Sequence, residues 1–94
     1  MFVVIGDWRM SPEQRDQQRA GLSRIASGVA QLPGLAKGYW TSSDDGTRSS
    51  TFIVFDDRTA AEAFAAEVRG NIDNQRRAGV ENLSLVIHEV AAET

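Results

Sequence analysis

Three stretches of this chain are apolar at consecutive positions: Phe2-Val3-Val4-Ile5, Phe52-Ile53-Val54-Phe55 and Leu85-Val86-Ile87. Successive side chains of a strand point to opposite faces, so each stretch puts apolar groups on both sides of its sheet. A sheet with one face in water would alternate apolar with polar instead. The chain has 94 residues, enough for a single domain over 1–94 and one core. One such chain can cover one face of a sheet with its own helices. The other face would be an apolar patch of a size that soluble monomers rarely leave open, and a two-fold pairing with a second copy covers it most simply. A homodimer is therefore expected.

The remaining segments fit between these strands. Phe2 to Trp8 reads as strand 1. Ser11-Pro12-Glu13-Gln14 has the form of a helix start, with Ser11 as N-cap, Pro12 in the first turn and Gln14 closing a capping box. Behind it Leu22, Ile25, Val29 and Leu32 recur at helical spacing and predict the buried line of helix 1, which Pro33-Gly34 ends. Leu35 to Thr41 predicts strand 2, and Asp45-Gly46 suits a tight hairpin into strand 3, Thr47 to Phe55. Thr59 and Glu62 predict a second capping box, opening a helix buried along Ala60, Phe64, Val68 and Ile72. Asn71 to Gly79 reads equally as a helical turn or a loop, and Leu83 to Val90 as the last strand. The order βαββαβ gives an α+β, ferredoxin-like layout: a four-stranded antiparallel sheet with two helices on one face, paired into a dimeric α/β barrel.

Composition removes several function classes. The net charge is −3, from 10 basic and 13 acidic residues spread along the chain, which gives a nucleic-acid backbone or an anionic membrane nothing to attract it. Arg76-Arg77 reads as a solvated helix face. The chain has no cysteine and one histidine, so thiolate chemistry is excluded and a protein-built metal cage is not expected. No segment has the form of a secretory leader or a membrane span, and a cytoplasmic protein is expected.

Leu32-Pro33-Gly34-Leu35-Ala36-Lys37-Gly38, Phe52-Ile53-Val54-Phe55-Asp56-Asp57 and Thr59-Ala60-Ala61-Glu62-Ala63-Phe64 together resemble the antibiotic-biosynthesis-monooxygenase-like group of dimeric α/β barrels. Members often read L-P-G-(F/L)-x-G, W-x-(S/D) and A-(F/L) at these places. Phe55 stands here where the tryptophan is usual. The resemblance runs over nearly the whole chain, but its motifs are turns, caps and core aromatics, which speak for fold more than for chemistry. It implies cofactor-independent oxygenation of aromatic compounds as one activity and haem degradation as another. The haem-degrading branch carries an asparagine on strand 1, a tryptophan in helix 2 and a histidine after that helix. The matching strand and helix positions are Asp7 and Glu67, no histidine follows helix 2, and His88 lies in the last strand, so haem degradation is disfavoured.

Asp7 continues the face of Val3 and Ile5, where a carboxylate could be desolvated and serve as general base; at a strand end it could equally be solvated or paired with an arginine. His88 shares a stripe with Ser84, Val86 and Val90 and could relay a proton, or simply be a hydrogen-bonded core or interface residue. Asp7 and His88 are the catalytic candidates, and would form an acid/base pair if the strands brought them together. In Tyr39-Trp40 one ring should face the helices and the other the dimer interior. Trp40, Phe64 and Glu67 are the ligand-contacting candidates, and Trp8 carries the same ambiguity between core and pocket. Asp44-Asp45 and Asp56-Asp57 read as turn and cap residues. The expected activity is a cofactor-independent monooxygenase, or a related proton-transfer enzyme, for a small apolar or aromatic metabolite, with no cofactor and no metal. The alternative is a non-catalytic dimeric module that binds a small molecule. RNA binding through strand 3 aromatics is set aside for want of positive charge.

Overall fold

A computed structural model describes residues 1–94. Strands β1 (Phe2–Met10), β2 (Leu35–Trp40), β3 (Arg48–Phe55) and β4 (Val80–Glu89) form one sheet, and helices α1 (Arg15–Ala30), α2 (Arg58–Arg69) and the short α3 (Ile72–Arg77) complete the chain. The sheet order is β2-β3-β1-β4, with every neighbour antiparallel. This is the ferredoxin-like βαββαβ arrangement.

The register sorts every strand residue onto one of two faces. On the helix side, Val4 pairs with Ile53 and Ile87, Gly6 with Thr51 and Leu85, and Trp40 with Thr51. Val4, Ile53 and Phe55 are buried there with Val29 of α1 and Ala61 and Ala65 of α2. The alanines let the α2 backbone come close to the sheet. On the helix-free side, Ile5 pairs with Phe52 and Val86, and Phe52 with Tyr39, so four apolar side chains cross all four strands in one row. Three members of that row are open to solvent: Tyr39 at 54%, Phe52 at 36% and Val86 at 42%. Tyr39 and Trp40 thus point to opposite faces, as alternation requires.

Both expected capping boxes are replaced by other contacts. The Ser11 side chain makes no cap bond, and Pro12–Gln14 forms a single 3-10 turn ahead of α1. The Gln14 amide instead donates to the Arg77 carbonyl at 3.1 Å, satisfying an end carbonyl of α3. At α2 the cap is Asp57, two residues before Thr59, whose carboxylate accepts from the Ala60 N–H at 2.8 Å. The helix therefore starts earlier, and its fully buried line is Ala61 and Ala65. Ala60, Phe64 and Val68 are half-buried, and Ile72 begins α3 and is exposed.

The β2–β3 loop is ordered by Asp45. Its carboxylate accepts from Ser43 Oγ at 2.8 Å, Thr47 N at 2.9 Å and Thr47 Oγ1 at 2.7 Å. These bonds, the Thr47 hydroxyl foremost, stabilise the charged form and lower its pKa from 3.8 to about 2. Gly46 follows with φ of 75°, a conformation that glycine takes without the Cβ penalty.

Candidate functional site

A cleft of about 500 Å³ opens on the helix side, between the Pro33-Gly34 turn, the end of β3 and the first three turns of α2. Its size falls within the roughly 300–1,000 Å³ of small-molecule sites. Each wall follows from local sequence. Pro33-Gly34 ends the segment after α1, with Gly34 at φ of 77°. A Cβ on Gly34 would lie 3.1 Å from the Ala60 Cβ, so the turn lies tightly against the start of α2. The Asp56 N–H donates to the Gly34 carbonyl at 2.7 Å and ties this turn to the end of β3. Phe55 forms the buried side, and Phe64 leans on it with ring centroids 5.4 Å apart and planes tilted by 42°. Glu67 follows Phe64 by three residues, close to one helical turn, and so brings its carboxylate to the same side of α2.

The middle of α1 is less well covered than its ends. Gln18, near the start of the helix, donates to the Ala78 carbonyl at 2.9 Å, and Val29, near its end, is buried in the core. Leu22 and Ile25 fall on the same stripe between these two anchors, yet they are 38% and 51% exposed. The expected buried line of helix 1 is therefore filled at its C-terminal end and open along its middle. The sheet beneath presents Trp8, whose indole N–H donates to Thr51 Oγ1 at 3.2 Å. Gly6 is buried below them, where a Cβ would lie 2.7 Å from Trp8 Nε1 and 2.8 Å from Thr51 Oγ1.

Of the residues singled out from sequence, Phe64 and Glu67 line the cleft. Trp40 reaches the same side of the sheet but packs on the core over Gly38, where a Cβ would lie 3.1 Å from its ring. It belongs to the floor of the layer and does not line the cleft. Asp7 and His88 lie on the helix-free face. Asp7 pairs with Ser84 and His88 with Val3, and four residues of strand separate the two pairs, about 13 Å. They do not form an acid/base pair within one chain. Asp7 accepts instead from Ser50 Oγ at 2.9 Å and Ser84 Oγ at 3.1 Å, and no arginine pairs with it. Arg9 pairs with Glu81 at 3.1 Å. Pro33, Gly34, Phe55 and Asp57 are among the other residues that line the cleft. The sequence alone assigns them to a helix stop, a core strand and a turn. Their one signal as site residues is the Leu-Pro-Gly stretch, which marks a turn close to a helix without saying what the turn encloses. No group of three or more potential metal ligands occurs in the chain.

The fold is shared with solved structures. A candidate antibiotic biosynthesis monooxygenase of Deinococcus radiodurans superposes with a TM-score of 0.80 at 20% identity, over 100% of this chain and 96% of that one. SnoaB, a cofactor-independent oxygenase of Streptomyces nogalater, gives 0.70 at 14% identity, over 98% of this chain and 94% of its own. A monooxygenase of Streptomyces coelicolor, solved with the ligand nanaomycin D, gives 0.68 at 15% identity, over 99% of this chain and 89% of its own. The structural neighbours are thus antibiotic-biosynthesis-monooxygenase-like proteins, and what the chain shares with them at these identities is the fold. No family model and no curated sequence matches the chain.

Proposed function

We propose that this chain is a cofactor-independent monooxygenase, or a closely related proton-transfer enzyme, for a small apolar or aromatic molecule held in the helix-side cleft. The observation that carries this reading is the cleft itself: aromatic and alkyl walls with a carboxylate at the rim. The fold shared with a cofactor-independent oxygenase and with a monooxygenase supports it.

The chemistry asks little of the protein. A substrate with an acidified methylene gives its proton to a base and becomes an electron-rich enolate. That carbanion adds dioxygen, forming a C–O bond, and the peroxide then breaks to leave a carbonyl and release water. One substrate and one dioxygen give one ketone and one water, with every electron drawn from the substrate. The protein contributes a water-poor cavity, a fixed orientation and a proton acceptor. Asp57 is committed to capping α2, which leaves Glu67 as the cleft carboxylate placed to accept that proton. Asp7 and His88 then belong to the other face of the sheet. There the row Tyr39, Phe52, Ile5 and Val86 fits a sheet-against-sheet homodimer, with the Ser50–Asp7–Ser84 row at its polar end.

Oxygen uptake with anthrone, whose methylene lies between two aryl rings, tests the activity. The expected result is stoichiometric uptake above the uncatalysed rate, falling at least about tenfold in Phe64→Ala and in Glu67→Gln, the scale of a lost positioning or general-base contribution. Binding without uptake would replace the enzyme with a non-catalytic binding module. Neither binding nor uptake, with anthrone and a panel of related polycycles, would overturn the reading.

A further inference from the structure

The polar side chains that line the cleft are Asp57, Thr59 and Glu67, two carboxylates and a hydroxyl, and no lysine, arginine or histidine joins them. We infer that the cleft selects a flat, non-anionic molecule that donates hydrogen bonds toward its mouth, with Glu67 as the specificity-determining residue, and that it rejects aromatic carboxylates and phosphate esters. This rests on the cleft being the substrate site.

One feature of the fold works in the opposite direction. The N-terminal end of α2 faces the same cleft, and a helix N-terminus carries about half a positive charge that favours anions. Asp57 already occupies that end, since its carboxylate holds the Ala60 N–H at 2.8 Å. Two full negative charges, Asp57 and Glu67, outweigh about half a positive one, so the mouth remains negative. The nearby cations do not reverse this. The Arg58 guanidinium lies 4.6 Å over the Phe2 ring, and Arg69 donates to the Leu85 carbonyl at 3.2 Å. Neither lines the cleft.

The walls give the second half of the selection. Phe55, Phe64, Leu32, Ala60 and Ala63 offer carbon and ring faces to a planar ligand, and ring faces attract cations and repel anions through their quadrupole. A carboxylate ligand would meet unfavourable charge at the rim and at the wall. A phenol or alcohol could donate to Glu67 and keep its ring on Phe64. An ammonium could do the same with a favourable charge term added.

Three naphthalene probes of nearly equal size test the selection by calorimetry at low salt and neutral pH: 1-naphthylmethylamine, 1-naphthalenemethanol and 1-naphthoic acid. The amine is expected to bind about tenfold or more tightly than the acid, because attraction of one and repulsion of the other add in the comparison, and the alcohol to fall between them. High salt should narrow the gap between amine and acid. Glu67→Lys, an exchange at an exposed position that leaves the core intact, should reverse the order of amine and acid and leave the alcohol within about threefold. Equal binding of acid and amine, or an order unchanged in Glu67→Lys, would overturn the inference while oxygen uptake with a neutral substrate still stood. Failure of the neutral alcohol to bind would count against the cleft as a site, and against both readings together.

Discussion

Asp45 shows how one side chain can hold a loop with almost no burial. Its pKa is lowered from 3.8 to about 2 by bonds from Thr47 and Ser43. A depressed folded-state pKa means stability that is fully present above the ordinary value of 3.8 and lost as the pH falls through about 2. The carboxyl carbon of Asp45 should therefore titrate near 2 when followed by NMR. Asp45→Asn should be less stable than the parent at neutral pH and draw level with it below the folded-state pKa. Gly6 is the opposite kind of residue, buried and defined by what it lacks. A methyl group placed on its Cα would lie 2.7 Å from Trp8 Nε1 and 2.8 Å from Thr51 Oγ1, so Gly6→Ala must displace the indole. A loss of about 1–3 kcal/mol is expected in denaturant unfolding, with altered tryptophan emission, as for an overpacked core. Asp7 marks the limit of what single residues disclose. Alternation correctly places Asp7 with Val3 and Ile5, and His88 with Ser84 and Val86, while only the strand register puts the two stripes on one face. Which face the helices cover is not legible, because the strands are apolar on both.

Among the elements, the strands are the most legible and the helix contacts the least. Apolar, β-branched runs set three of the strands to within a few residues, and Pro33-Gly34 and Asp45-Gly46 bracket the other, β2. Both capping boxes are misplaced because the same residue types serve as caps and as long-range hydrogen-bonding groups. Gln14 is used to satisfy α3, and Asp57 lies nearer the true start of α2 than Thr59. Helix α1 is the informative case. Its apolar spacing predicts one continuous buried line, but only its ends are held, by Gln18 and Val29. Periodicity reports which face of a helix looks inward and not whether anything fills the space beneath. Leu22→Ala and Ile25→Ala should each cost under about 1 kcal/mol, well below the roughly 2–5 kcal/mol of a packed leucine or isoleucine truncation. Val29→Ala should cost about 1–2 kcal/mol, since its methyls are buried. Chemical denaturation of the three variants checks the ranking. Equal losses at all three positions would mean that the helix is packed along its whole length.

For the whole molecule, the two faces of one sheet carry different work. The helix side holds a small core and an acidic-rimmed aromatic cleft. The other side presents Tyr39, Phe52, Ile5 and Val86 in one row across four strands, which is the feature the doubly apolar strands first implied. We propose that this division leaves the cleft free for a ligand and the open face for a second copy. Sedimentation velocity on the purified chain at micromolar concentration, beside Phe52→Asp, tests it most directly. A species of twice the 10.3 kDa chain mass is expected, with Phe52→Asp a folded monomer. A monodisperse wild-type monomer would contradict the division, since the apolar row would then stand in water with nothing to cover it.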